Sequence, residues 1–165
     1  MMNSNKVFIC DAIRTPIGKL GGVFKSLSPL DLAVPLIQHL TQKNSNIAAH
    51  LDELIVGQGY GTAEAANIGK ALALDAGLPD HVCGYSVDRR CASGLQAIID
   101  GMMMIQTGKA NLIIAGGAES LSQAPFYSTS IRWGGFGDLQ LKDSLKYGRI
   151  FANGQKNPIQ GGMLE

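Results

Sequence analysis

The chain has 165 residues, 45% hydrophobic and 16% charged, which is enough apolar content to bury a sizeable core as one domain, or one domain with a fragment of another, and excludes a disordered segment. Fourteen basic residues face thirteen acidic ones, a net charge of +1 without charge runs, so neither nucleic acid nor an anionic membrane is indicated as a partner. Three cysteines, Cys10, Cys83 and Cys91, are an odd number without metal-ligand spacing; they suit a reducing, cytoplasmic setting better than a disulfide framework or a metal site.

The first residues, Met1 to Lys6, are polar and lack the pattern of a signal peptide, and no apolar run approaches the roughly 18 residues of a membrane span. Lys6 to Asp11 (KVFICD) has strand character, and a loop dense in glycine follows over Arg14 to Gly22. Ser28-Pro29-Leu30-Asp31 opens a helix with an N-cap serine, proline at the first helical position and an acid placed for a capping box. Leu32, Ala33, Leu36, Ile37 and Leu40 share one face of it, and Pro35 inside it predicts a kink.

Glu53 to Gly57 (ELIVG) reads as the second strand. Glu64 to Ala76 reads as the second helix, stopped by Gly77 with Pro79 beyond. His81 to Val87 is a third strand. Cys91 to Thr107 is a third helix whose apolar face carries Leu95, Ile98, Ile99, Met102 and Ile105, with Gly108 ending it. Asn111 to Ala115 is a short fourth strand without alternation, as expected for one covered on both faces. Four strands separated by three helices predict an α/β fold with a mostly parallel sheet and helices on both faces, spanning residues 1–120.

From residue 121 to 165 periodicity fades. Pro125, Phe126, Tyr127, Trp133, Gly134, Gly135, Gly137, Tyr147, Phe151, Gly154 and Pro158 suggest the beginning of an inserted loop region, of the kind that lines ligand sites or packs irregularly over a sheet. An open parallel sheet followed by such a tail reads as a fragment of a longer protein.

Cys91 is the candidate for chemistry. It sits where the third strand runs into the third helix, and a helix start offers unpaired N–H groups and partial positive charge that favour a thiolate. Arg89 and Arg90 precede it, and the small residues Ala92, Ser93 and Gly94 leave room for a substrate. The alternative is a small buried hydrophobe, the commonest role of a free cysteine. Gly57-Gln58-Gly59-Tyr60-Gly61-Thr62 imitates a dinucleotide fingerprint but has threonine for its third glycine and follows the second strand rather than the first. His39, His50 and His81 pair with no cysteine at metal spacing and read as surface or structural residues.

Four segments in this order resemble the N-terminal part of the thiolase family. They are Ile13-Arg14-Thr15-Pro16-Ile17-Gly18-Lys19 with Gly21-Gly22, Val56-Gly57 with Asn67-Ile68-Gly69, Asp88-Arg89-Arg90-Cys91-Ala92-Ser93-Gly94-Leu95-Gln96-Ala97, and Ala115-Gly116-Gly117-Ala118-Glu119-Ser120-Leu121-Ser122. Asp88 stands where many such proteins have asparagine, and Ala92 where serine or glycine is frequent. The cysteine segment alone is also similar to ketosynthases of the same superfamily.

The resemblance implies that Cys91 is a nucleophile accepting an acyl group, with its backbone N–H in an oxyanion hole. Coenzyme A and acyl-CoA would be substrates, with no permanently bound cofactor and no metal, and a homodimer or dimer of dimers would form through the strand near Cys83 to Val87. It also implies that a histidine, an asparagine motif and a second cysteine belong to a C-terminal half outside this sequence. The isolated chain is therefore expected to be inactive, or to serve only as a structural and assembly unit.

Overall fold

The computed structural model describes residues 5–43, 45–134 and 137–147, which fall into two compact units, Met1–Gln123 and Ala124–Glu165. In the first unit α1 (Pro29–Gln42) and the short α2 (Ser45–His50) lead into β1 (Glu53–Gly57). There follow α3 (Ile68–Asp75), β2 (Cys83–Val87), α4 (Ser93–Gln106) and β3 (Ile113–Gly117). The second unit contains β4 (Phe126–Tyr127) paired antiparallel with β5 (Lys142–Asp143), then α5 (Ser144–Tyr147).

Local chemistry accounts for the helix ends. Ser28 Oγ accepts the Asp31 N–H at 3.1 Å while Asp31 Oδ2 accepts the Ser28 N–H at 2.8 Å, a complete capping box in front of Pro29. The Ser28 N–H first, and then the Ser28 hydroxyl donating to the same oxygen at 2.7 Å, hold the Asp31 carboxyl below its usual value. The helix runs unbroken through Pro35, the residue expected to kink it. Pro35 and Asp31 both face solvent, so the carbonyl left without a donor stays in water, where it costs little. Gly77 ends the α3 region at φ 73°, a left-handed position that glycine takes without strain.

The three parallel strands lie in the order β2-β1-β3, with Gly57 opposite both Val87 and Gly117. Asp52 sets the far end: its carboxylate accepts the N–H groups of Asn111 (2.6 Å) and Leu112 (3.1 Å), and its carbonyl accepts the Cys83 N–H at 3.3 Å. On one face Leu54 and Val56 join Ile68, Leu72, Val82, Leu51 and Ile37 in the main core, each large side chain contributing about 1.5–3 kcal/mol on burial. On the opposite face α4 lies against Ile55, Ile113 and Ala115, touching the last two through Gly101. Helices therefore cover both faces of an α/β sheet.

Three expectations change. Lys6 to Asp11 forms no strand among the described residues, and Phe8 and Ile9 are 74% and 84% exposed. Apolar composition supplies no partner for backbone N–H and C=O groups, and a strand exists only where a neighbour does. The second helix is split into a 3-10 turn, Ala63–Ala65, and α3, because Asn67 caps a fresh start by accepting the Lys70 N–H at 3.1 Å. His50 ends α2, and its ring Nδ1 lies 2.8 Å from the Asn46 carbonyl.

Finally, α4 buries Ser93, Ala97 and Gly101, not the larger residues; Leu95, Ile98 and Met102 are 63%, 45% and 39% exposed. Small residues let the helix axis approach the sheet, which large ones would hold off.

Candidate active site

The site lies where the three parallel strands end together, the side of an open α/β sheet on which ligands are generally bound. Here the loops after β1, β2 and β3 meet. The Gln58 N–H donates to the Val87 carbonyl at 3.0 Å, and the Ala118 N–H to the Gly57 carbonyl at 3.1 Å.

Glycines permit this convergence. A Cβ on Gly57 would overlap the backbone of Ser93 and Gly94, and one on Gly117 would stand 3.3 Å from Gly94 Cα. The glycines of the fingerprint-like segment are thus occupied by protein: Gly57 receives the start of α4, and Gly59 faces the Glu119 carboxylate.

Cys91 is exposed at this end of the sheet. It is the middle residue of a 3-10 turn, Arg90–Ala92, and α4 begins only at Ser93, so the thiol precedes the helix rather than occupying its first turn. The Ala92 N–H donates to the Arg89 carbonyl at 3.1 Å, and the Ser93 N–H returns to the Arg90 carbonyl. Ser93, buried at 3% exposure, clamps the turn from beneath: its Oγ donates to the Arg90 carbonyl at 2.6 Å and accepts the Arg89 N–H at 2.8 Å. Sequence reading treated Ser93 only as a small neighbour of the thiol.

The two arginines are engaged elsewhere than at the sulfur. Arg89 donates to Gln96 Oε1, which shares α4 with Asp100, itself bound by Gln96 Nε2 at 2.6 Å. Arg90 has φ 52°, the one positive value at a non-glycine residue among the described residues. Its guanidinium donates to the Gly59 carbonyl, pairs with Asp88 Oδ2 at 3.3 Å and lies 5.7 Å from the centre of the Tyr60 ring. Asp88 Oδ1 also accepts the Arg90 N–H at 3.0 Å, so the carboxylate at this position stabilises the bend before Cys91.

Glu119 is the second functional candidate that sequence reading passed over, although an acid directly after Gly116-Gly117-Ala118 at a strand end was the available signal. Its Oε2 accepts the N–H groups of Gly59 (2.7 Å) and Tyr60 (3.2 Å). Burial of the carboxyl end pushes its pKa above the ordinary value. The two N–H groups oppose that shift, Asp88 adds to it and Arg90 subtracts.

Beyond Glu119 the loop Thr15–Leu20 encloses a groove of about 320 Å³ with Phe24, Leu32 and Ser122, tied by the Gly21 N–H to Ser122 Oγ at 2.9 Å.

The histidines do not join the site. His50 and His81 precede the starts of β1 and β2, at the opposite end of the sheet, and His39 lies near Asp11. No group of three or more His, Cys, Asp or Glu that could hold a metal occurs among the described residues, and no described helix is long and apolar enough to cross a membrane. In the second unit Phe126 and Trp133 are 63% and 91% exposed; Gly135, Phe151, Gly154 and Pro158 lie outside the described residues.

Comparison with known proteins agrees with this architecture. The family profile "Thiolase, N-terminal domain" matches residues 7–155. Beta-ketoadipyl-CoA thiolase of Pseudomonas knackmussii is 41% identical over 125 residues, covering 74% of this chain and 31% of that protein. Acetyl-CoA acetyltransferase of Schizosaccharomyces pombe is 36% identical over 145 residues, covering 87% and 37%. The crystal structure of the Bacillus anthracis acetyl-CoA acetyltransferase superimposes with a TM-score of 0.84 at 35% identity, over 90% of this chain and 38% of that one. The chain thus spans about a third of the length of the relatives it matches. The sheet, the glycine-lined strand ends and these matches lead to one conclusion: the chain belongs to the thiolase family and corresponds to its N-terminal domain.

Proposed function

We propose that Cys91 is the acyl-accepting nucleophile of an acyl transfer to and from coenzyme A. The observation that carries this reading is the exposed thiol held in a clamped turn at the carboxyl end of the parallel sheet, immediately before α4. In thiolysis the sulfur attacks the 3-keto carbon of a 3-ketoacyl-CoA, and the Cys91 N–H at the head of α4 donates to the oxyanion that develops. Collapse breaks the bond between carbons 2 and 3. Acetyl-CoA leaves after carbon 2 takes a proton, and the acyl group remains on sulfur as a thioester. A second CoA thiolate then attacks that thioester and frees Cys91; the reverse sequence is a Claisen condensation. Coenzyme A and acyl-CoA enter as substrates and no resident cofactor is required. Fatty acid metabolism is the setting that suits this chemistry.

A general base and a proton donor are needed besides the nucleophile, and none of His39, His50 and His81 stands at this end of the sheet. We assign those groups to sequence beyond this chain and read residues 121–165 as the start of an inserted loop region on a core of residues 1–120. The 165-residue chain by itself is then inert. Incubated with acetoacetyl-CoA and CoA, it is expected to cleave at the background rate, and turnover well above background would overturn that assignment. Cys91 nevertheless is expected to react with iodoacetamide at neutral pH faster than Cys10 or Cys83, all three being exposed. Equal rates would remove the nucleophile reading.

Assembly is a second proposal, favoured by β2 lying at an edge of the described sheet with its outer backbone groups unpaired by β1 or β3. A homodimer, or a dimer of dimers, forms when β2 pairs with its copy. Cys83→Lys places a charge on an exposed position of that edge and is expected to lower the mass measured by size exclusion. A monomer for both chains would end the proposal. Three free, exposed cysteines suit a cytoplasmic location.

A further inference from the structure

We infer that Glu119 is a positioning residue for Cys91, acting through the Gly59–Tyr60 loop and Arg90; the inference rests on the nucleophile reading above. Two consecutive N–H groups converge on one oxygen of Glu119, which fixes the loop leaving β1 to the loop leaving β3. The fixed loop in turn holds Arg90 at two points: the Gly59 carbonyl accepts from its guanidinium, and the Tyr60 ring lies beneath it. A Cβ built on Gly59 would stand 3.2 Å from Glu119 Oε2, slightly too close, and 3.7 Å from Arg90 Cα, an ordinary contact, so the loop passes near both residues.

Arg90 needs such support. A left-handed φ of 52° is unfavourable for a side chain of this size and persists only where surrounding contacts over-determine it. Asp88 and Ser93 hold the bend from its own strand-to-helix segment, and the Gly59–Tyr60 loop holds it from the neighbouring strand. Cys91 follows this residue directly. Its backbone direction, and with it the relation of thiol to N–H groups at the head of α4, is set by a bend whose outer brace ends on Glu119.

Charge contributes as well as geometry. Arg90 pairs with Asp88 Oδ2 at 3.3 Å, and its charge works against the rise that burial causes in the Glu119 pKa. The inference therefore separates two substitutions. Glu119→Gln keeps the shape and one carbonyl acceptor for the two N–H groups, whereas Glu119→Ala keeps neither.

The test is iodoacetamide alkylation of the 165-residue chain, followed site by site through peptide mass spectrometry, with Cys10 and Cys83 as references within the same molecule. Glu119→Ala is expected to slow Cys91 by about tenfold while the other two rates hold, and Glu119→Gln to recover most of the loss. A purely structural role would move all three rates toward the value of an unfolded chain. If Glu119→Ala unfolds in that way, Arg90→Lys decides: the left-handed bend and the charge beside Cys91 stay, the planar guanidinium on the Gly59 carbonyl and the Tyr60 ring is lost, and Cys91 alone is expected to slow. A fast Cys91 indifferent to Glu119→Ala in a folded chain, or to Arg90→Lys, overturns the inference. Equal rates at all three cysteines of the wild-type chain would instead fail the nucleophile reading, a distinct result.

Discussion

The two faces of the sheet are built on opposite plans. Against α3 the strands present Leu54 and Val56, and the helix answers with Ile68 and Leu72, all at most 5% exposed. Against α4 the helix offers Ser93, Ala97 and Gly101 and turns Leu95, Ile98 and Met102 outward. The first face derives stability from buried area. The second sacrifices area for closeness, and the closeness brings the start of α4 against Gly57 and Gly117, where the Cys91 turn is formed. One face holds the domain together while the other places the thiol.

Urea unfolding followed by far-UV circular dichroism can break this contrast. Leu72→Ala on the first face is expected to cost about 2–5 kcal/mol, since it empties a site that is 1% exposed. Gly57→Ala on the second adds a methyl where backbone of Ser93 and Gly94 already stands, with an expected cost of about 3 kcal/mol and a slower Cys91 in the fraction that folds. Ser28→Ala, remote from both faces, removes a cap and is expected to cost about 1 kcal/mol. Leu95→Ser on the outer side of α4 is expected to change the isolated chain by no more than about 0.5 kcal/mol. A loss at Leu95 as large as that at Leu72 would refute the division.

Acid titration sharpens the role of the cap. The Asp31 pKa is lowered in the folded chain from 3.8, so its contribution is fully present above that unfolded value and is lost as pH falls through the lower folded one. Asp31→Asn is therefore expected to flatten the fall in stability below about pH 4 and to leave its slope near neutrality unchanged.

What the sequence disclosed was local. The Ser28 cap and the Gly77 stop each depend on neighbours within a few residues, and each occurs where the residues indicate; the strand Glu53–Gly57 also occurs where expected, although its pairing with β2 and β3 is long-range. Lys6 to Asp11 misled because pairing is not a local property. The face of α4 misled because periodicity follows hydrophobicity, whereas this helix is seated by size. At the site, the cysteine at a strand-to-helix junction was legible from residue types alone. The left-handed Arg90, the Ser93 clamp and the Glu119 anchor were not, since the last joins residues sixty positions apart in the chain.

The register also has a consequence in time. Gly57 in the central strand meets Val87 thirty residues later and Gly117 thirty residues after that. A ribosome adding about 5–20 residues per second leaves Leu54, Ile55 and Val56 without their second neighbour for about 3–12 seconds. For the first half of that interval the most apolar stretch of the sheet has two open edges and for the second half one, and non-local parallel pairing is slow to close them. Synthesis speed between residues 57 and 117 should therefore govern yield, with a chaperone that shields β1 raising the soluble fraction more than one acting after β3 has emerged.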